Sequence, residues 1–354
     1  MKYLYVIFTK LPKTLRNSFK IFPLLLIFTF QVFLSSCVSN DIETQESLII
    51  YSGRSESLVG PIIESFIEST GIQVDVRYGG TAELAATLLE EGDSSPADLF
   101  FAQDPGGLGA VAEQGMLSAL PEDMLSLVDP RFIDPSGNWV GISGRARVIV
   151  YNTDTLSPED LPTDLQGFTD PKWKGKIGRP PTNTSFQTML TGMREIWGEA
   201  ETKLWLEGIL ENDPVYYEKN TPTVAAVAAG EVEVGFVNHY YLYRFLAEEG
   251  ESFSARNYFL PSGGPGSLIL VSAIGVIESS DNFENAEKFI QFLLSNEAQQ
   301  YFANETFEYP LIEGISIPAN LPPIENLNSV NISLGDLVDL DGTIKMLQEV
   351  EMLP

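Results

Sequence analysis

From residue 47 onward the chain alternates short apolar runs with stretches of helical period, and a sheet covered by helices is the fold that absorbs this rhythm. "SLIIYSG" reads as a buried strand ending in glycine. Residues 56–69 then carry apolar side chains at 58, 59, 62, 63, 66 and 67, one face of a helix, and Gly71 stops the run. "IQVDVRY" alternates as a strand, and "TAELAATLLEEG" is a short helix ended by Gly92. "ADLFFA" is the next strand and "PGGLGAVAEQG" the next helix. Repeated strand–helix units of this kind imply a largely parallel sheet with helices on both faces.

Two long extended runs break the pattern, "NWVGISGRARVIVYN" and "SLILVSAIGVI". Each is expected to carry the chain between lobes. The expected fold is therefore α/β and two-lobed, each lobe a mostly parallel sheet flanked by helices, the two joined by crossover strands. Residues 47–145 and 271–322 are assigned to the N-terminal lobe and 146–270 to the C-terminal lobe. Residues 323–354 follow as a C-terminal segment whose helix, expected at about 335–350, lies on the second lobe. Between the crossings come "DPKWKGKIGRPPTNTSF", two helical patterns to about residue 212, the short helix "PTVAAVAAGE", the strand "VEVGFVN" and a helix over 240–249. Residues 282–303 read as helical. No internal repeat or low-complexity tract is visible.

Residues 1–36 have the order of a secretory signal: a basic leader (Lys2, Lys10, Lys13, Arg16, Lys20), an apolar run, then "LSSC" ending at Cys37. The apolar run from Ile21 to Leu34 is ~14 residues, short of the ~20 that span a bilayer. "LSSC" resembles the lipobox of bacterial lipoproteins, which implies cleavage before Cys37, a lipid on its sulfur, and an extracytoplasmic protein anchored to the cell envelope. Residues 37–46 read as a polar tether. Cys37 is the sole cysteine, so the exported part has no disulfide, thiol nucleophile or cysteine metal cluster. The roughly 310 remaining residues hold together by packing alone, and suffice for two lobes. The formal net charge is −28, and removing the five leader cations leaves −33. Nucleic acid and anionic lipid surfaces are poor partners for such a chain, because phosphate binding needs clustered cations. A surface that repels its own copies also favours a monomer.

Ligands of open α/β sheets bind beyond the carboxyl ends of the strands. The loops at those positions supply Arg54, Ser55, Gln103, Asp104, Thr182, Asn183, Thr184, Ser185, Asn220, Asn238, Tyr240 and Tyr241. The set is rich in oxygens and amides and poor in proton-transfer groups. One histidine and no free thiol rule out most nucleophile–base pairs, and "SGRSES" has no G-x-S-x-G pattern, so an enzyme is not expected. Read in isolation, Tyr240 and Tyr241 suit interface or core packing with satisfied hydroxyls. Tyr243, Phe245 and Tyr78 read as packing, and His239 as structural or solvent-facing.

The order of "YSGR", "EEGDSSPADLFF", "ISGRARVIVYN", "DPKWKGKIG", "YEKNTPTVAAVAAGEVEVGFVNHYYLYR" and "EYPL" resembles the ferric-iron-binding group of type II periplasmic solute-binding proteins, which serve bacterial ABC importers. The likeness covers nearly all of residues 47–354. It implies a type II periplasmic-binding-protein fold, closure by hinge motion near residues 143–147 and 268–273, a permease and ATPase as partners, and Fe(III) as transported ligand. In that family the adjacent tyrosines bind iron as phenolates; here they are Tyr240 and Tyr241. A trivalent ion favours ionised neighbours, and hard ions prefer oxygen.

The chain departs from the family pattern at two positions. The family's histidine falls at Ser55 and its glutamate at Gln103, and a third tyrosine used by other members has Ser185 near its place. Two phenolates do not fill an octahedral shell. Asp104 or Glu83 could reach in, or a synergistic anion could complete the shell. The anion, carbonate or phosphate, is expected among Asn183, Thr184, Ser185, Asn220 and Asn238, with Arg54, Arg145, Ser55 and Gln103 at its edge. Arg145 and Arg147 sit on the first crossing strand, where either can be structural. The departures also admit a small organic anion such as a phosphonate on the same fold, or a receptor that presents its ligand to a sensor kinase. A carboxylate-based hydrolase is the enzymatic alternative.

Overall fold

The computed structural model describes residues 47–353 other than 331, 333 and 338. The signal segment, Cys37 and the tether lie outside the described residues. Among the described residues, no helix is long and apolar enough to cross a membrane.

The first half runs β1 (Leu48–Ser52), α1 (Glu56–Thr70), β2 (Val74–Tyr78), α2 (Thr81–Glu91), β3 (Leu99–Ala102), α3 (Pro105–Glu113), α4 (Glu122–Leu125) and β4 (Val140–Asn152). Then come β5 (Ile177–Arg179), α5 (Thr184–Trp197), α6 (Glu199–Glu211), β6 (Val215–Tyr216), α7 (Asn220–Ala228), β7 (Val234–Asn238), α8 (Tyr240–Glu249) and β8 (Ala255–Tyr258). The chain closes with β9 (Ile269–Val276), α9 (Phe283–Leu293), α10 (Asn296–Asn304), β10 (Tyr309–Pro310) and α11 (Leu340–Glu349).

The strand order is β2-β1-β3-β9-β4-β7-β5-β6, with β8 and β10 also on β4. Pairing is parallel within β2-β1-β3 and within β7-β5-β6. It is antiparallel wherever β9 or β4 takes part. β4 joins the two halves. Its residues Val140–Ala146 pair with β9, and Arg147–Tyr151 pair with β7. The change of partner between Ala146 and Arg147 follows the Ser-Gly-Arg interruption at residues 143–145. All thirteen residues of β4 are buried, which explains a long extended run free of surface alternation.

Local chemistry explains several element ends. Gly71 takes φ 76° and donates its N–H to the Ile67 carbonyl at 2.8 Å, closing α1 in a left-handed turn that a side chain would strain. The helical stretch at 282–303 is two helices: Ser295 breaks it, and its Oγ accepts the Ala298 N–H to cap α10. The last helix begins at Leu340, later than its periodicity suggests, because Asp339 caps it by accepting the Gly342 N–H at 2.9 Å. α11 lies on α5, joined by Thr191 Oγ1–Thr343 Oγ1 at 2.8 Å and Arg194–Asp339 at 2.7 Å.

One glycine shows how tightly β7 is seated. A Cβ on Gly235 would meet Thr223 Cγ2, on α7, at 2.6 Å. Gly235→Ala is expected to lose about 1–3 kcal/mol of stability by overpacking. Urea denaturation measures it, and a loss below ~0.5 kcal/mol would mean α7 moves freely.

Candidate metal centre

Strand β7 ends at Asn238, His239 already has helical φ and ψ of −58° and −40°, and α8 begins at Tyr240. At this junction the two tyrosines do not diverge. Their rings stack, with centroids 4.2 Å apart and an interplanar angle of 28°. Tyr240 is buried and Tyr241 is half-buried. Among the described residues no hydrogen bond uses either hydroxyl. Burial pushes the Tyr240 phenol well above its usual range, and the neighbouring Tyr241 and Glu308 add to this, while Arg145 and Arg54 oppose it.

Three buried arginines stand around the pair. Arg54 comes from the loop after β1, and Arg145 and Arg147 project from one face of β4 by its two-residue period. Arg54 Nη2 lies 2.7 Å from both oxygens of Glu308, and Arg54 Nη1 donates to Gln103 Oε1 at 2.6 Å. Glu308 also accepts from Ser143 Oγ at 2.7 Å. Burial alone would raise the Glu308 carboxyl, but Arg54 and Arg145 hold it below the usual range. Arg145 Nη2 donates to the Gln103 carbonyl oxygen. Burial lowers Arg147 to about 9, so it stays charged at neutral pH.

From Arg147 a polar chain runs into the second half of the sheet. Arg147 Nη1 donates to Asn238 Oδ1 at 2.8 Å, and Asn238 Nδ2 donates to Ser185 Oγ at 3.1 Å. Asn183 Oδ1 accepts from the Ser185 N–H at 3.1 Å, capping α5, and from Asn220 Nδ2 at 3.4 Å. Asn183 and Thr184 line a cavity of about 460 Å³ together with Thr182, Lys219 and Tyr241. Several buried donors lack protein partners: Arg54 Nε, Arg145 Nε and Nη1, and Arg147 Nε and Nη2. Buried N–H groups are costly to leave unpaired, so this corner is chemically suited to an anion.

The other sequence candidates separate. Asp104 is buried at the start of α3 with Oδ2 unpartnered; burial raises its carboxyl while Arg145 pulls it down. Gln103 is engaged by both Arg54 and Arg145. Glu83 is exposed, its Oε2 facing the Gly80 N–H at 3.5 Å at the start of α2. Ser55 is exposed at the start of α1, 3.3 Å from Ser57 Oγ. Tyr78 is more than a third exposed, while Tyr243 is buried against the core. Among the described residues no group of three or more His, Cys, Asp or Glu is placed to hold a metal ion.

Glu308 was not singled out as a site residue, although it lies in the "EYPL" segment. The available signal is a carboxylate flanked by Phe307, Tyr309 and Leu311. His239 is fully buried. It accepts the Ala146 N–H at Nδ1, 3.1 Å away, so Nε2 carries the proton and donates to the Phe307 carbonyl at 2.8 Å. It therefore buttresses the tyrosines and is not free to bind metal.

Burial lowers His239 to about 4. Unfolded, it titrates near about 6.5, so the unfolded state takes up its proton first as pH falls. This contribution to stability is complete above pH ~6.5 and is lost progressively toward pH ~4. Between pH 7.5 and 5.5 the wild type is expected to lose on the order of 1 kcal/mol that His239→Gln does not lose. Denaturation curves of both proteins at the two pH values measure the difference, and identical pH dependence contradicts the assignment.

The chain belongs to the family of bacterial extracellular solute-binding proteins, which it matches over residues 94–333. It is 31% identical over 308 residues to the major ferric iron-binding protein of Neisseria meningitidis, an alignment covering 86% of this chain and 93% of that one. Its fold is similar to that of iron-bound HitA from Pseudomonas aeruginosa, with a TM-score of 0.81 and 32% identity over 86% of this chain and 99% of the other. A Trichodesmium protein (IdiA, FutA) in complex with iron and citrate matches with a TM-score of 0.76 and 29% identity, covering 86% of this chain and 99% of that chain. The fold class is thus that of the type II periplasmic binding proteins, and the family is one of binding proteins, not enzymes.

Proposed function

We propose that this protein captures Fe(III) outside the cytoplasm through Tyr240 and Tyr241, together with a carbonate or phosphate ion, and delivers it to an ABC importer. The observation that carries the reading is the stacked phenol pair at the β7–α8 junction, surrounded by three buried guanidinium groups. The similarity to ferric-binding proteins over most of the chain supports it.

Charge explains why an anion belongs with the metal. Fe(III) and two phenolates sum to +1, beside Arg54, Arg145 and Arg147 and opposite Glu308 and Asp104. The excess is positive, and the unpartnered guanidinium nitrogens provide the donors. An oxyanion cradled by Asn183, Thr184, Ser185, Asn220 and Asn238, with Arg54 or Arg145 at its edge, balances the charge. It also supplies oxygens where Ser55 and Gln103 replace the family's ligands. Asp104 is the nearest protein alternative by burial and lack of partner; Glu83 is the weaker one. The two halves of the sheet act as lobes that close over the ion, bending near residues 143–147 and 268–273. Residues 1–36 serve as a lipoprotein signal, Cys37 bears the lipid, and the protein works as an anchored monomer beside its permease and ATPase.

The test is a titration of purified protein with ferric nitrilotriacetate, followed by absorbance. A saturable visible phenolate-to-iron band at one ion per chain is expected. Binding of phosphonates without any coloured iron complex would replace this reading by the organic-anion one. Stripping phosphate and carbonate should weaken iron at least tenfold, about 1.4 kcal/mol, and adding either back should restore it. Unchanged affinity in stripped buffer would show that protein ligands complete the shell.

A further inference from the structure

Arg179 is a second kind of buried cation: among the described residues no carboxylate forms an ion pair with it. It ends β5 and is 8% exposed. Its Nη1 reaches the Met352 carbonyl oxygen at 3.5 Å, and its buried Nε has no partner. Burial lowers the Arg179 guanidinium from its ordinary value. Arg54, by contrast, has Glu308, and Arg145 has Asp104 and Glu308 near enough to attract it. A buried charge without a partner is expensive, and an anion would relieve that penalty.

The same guanidinium lines a cavity of about 720 Å³ with Thr182, Tyr216, Gln348, Met352 and Leu353. That volume falls within the ~300–1,000 Å³ usual for small-molecule sites. The walls are Tyr216, Met352 and Leu353, mostly apolar, with Thr182 and Gln348 as polar points. Glu351 also stands on the rim and disfavours a ligand with a second negative charge. The cavity shares Thr182 and Tyr216 with the smaller one beside Tyr241, but neither Tyr240 nor Tyr241 lines it.

We propose that this cavity is a separate binding site for a small organic monoanion, an apolar body bearing one carboxylate or phosphonate, anchored by the Arg179 guanidinium. The head group pairs with the terminal nitrogens Nη1 and Nη2 in a two-point fork. The body lies against Met352, Leu353 and the Tyr216 ring. A chain with net charge −28 repels anions in general, so saturable binding of one reports a built site. The proposal does not rest on iron binding.

Calorimetric titration of the iron-free full chain with benzoate and with phenylphosphonate tests it, with acetate and citrate as controls. At least one aromatic probe is expected to saturate a single site, more tightly than acetate, which lacks the body, and citrate, which carries too much charge. Arg179→Met should weaken that probe at least tenfold, and Arg179→Lys less. Tyr241→Phe should leave it unchanged. Arg179→Met should melt at or above the wild-type temperature, because it removes a buried uncompensated charge. Equal affinity in wild type and Arg179→Met, no saturable binding of either aromatic probe, or a variant that melts well below wild type overturns the proposal. The iron band, measured on the same proteins, judges the Tyr240–Tyr241 reading independently.

Discussion

Tyr240→Phe and Tyr241→Phe are each expected to abolish the visible iron band or nearly so, and to weaken Fe(III) by more than ~100-fold. That exceeds the 10–100-fold typical of losing a partner one shell out. Each substitution deletes one of the two phenolate oxygens. Gln103 is committed to Arg54 and Arg145, His239 to two backbone groups, and Glu308 to Arg54 and Ser143, which leaves the Asp104 carboxylate as the one buried protein oxygen named here that lacks a partner. The fold should survive, because among the described residues neither hydroxyl is hydrogen-bonded and the rings remain to pack. Burial holds the Tyr240 phenol protonated without metal, so iron must displace that proton as it binds. Affinity should therefore fall as pH is lowered, and the fall should be shallower in Tyr240→Phe. If both variants hold iron as tightly as the wild type, with the same spectrum, the metal lies elsewhere.

Glu308→Gln is expected to lose about 3–5 kcal/mol of folding stability, because it leaves Arg54 charged and buried. Both side chains of the pair are fully inaccessible, with N–O distances of 2.7 Å. An exposed ion pair of the same geometry would contribute only ~0–1 kcal/mol. Removing both charges together, as in Arg54→Met with Glu308→Leu, should recover most of the loss, since an apolar pair of similar volume carries no desolvation penalty. Chemical denaturation of the single and double variants distinguishes the cases. A loss under ~1 kcal/mol for Glu308→Gln would mean that water reaches Arg54 once its partner is gone.

The sequence carried the elements of the fold better than their exact limits. The face of α1 and its stop at Gly71, the strands of the first half and the two long extended runs were all readable. They depend on periodicity and on glycine conformation, which are local. The division of 282–303 at Ser295 and the late start of α11 at Asp339 depend on side chains folding back to cap a backbone, which periodicity does not record. At the site, Tyr240 and Tyr241 stood out as neighbours at a strand end. Their stacking depends on His239 entering the helix early, held by Ala146 and Phe307 from other elements. Glu308 stayed unnoticed because its partner Arg54 is 254 residues away in the chain.

By itself, the sequence determined an α/β chain without disulfides, with two long extended runs and with paired phenols where a strand gives way to a helix. Hydrophobic period, turn residues and the lone cysteine are properties of neighbours along the chain, and they need no fold to be read. Only the tertiary structure decided that Arg54, from the loop after β1, and Arg145 and Arg147, from β4, surround those phenols, that Glu308 neutralises Arg54, and that among the described residues Arg179 has no such carboxylate. Charge balance in a buried site is a sum over distant segments at short range, and it exists only once packing has brought them together and removed the water.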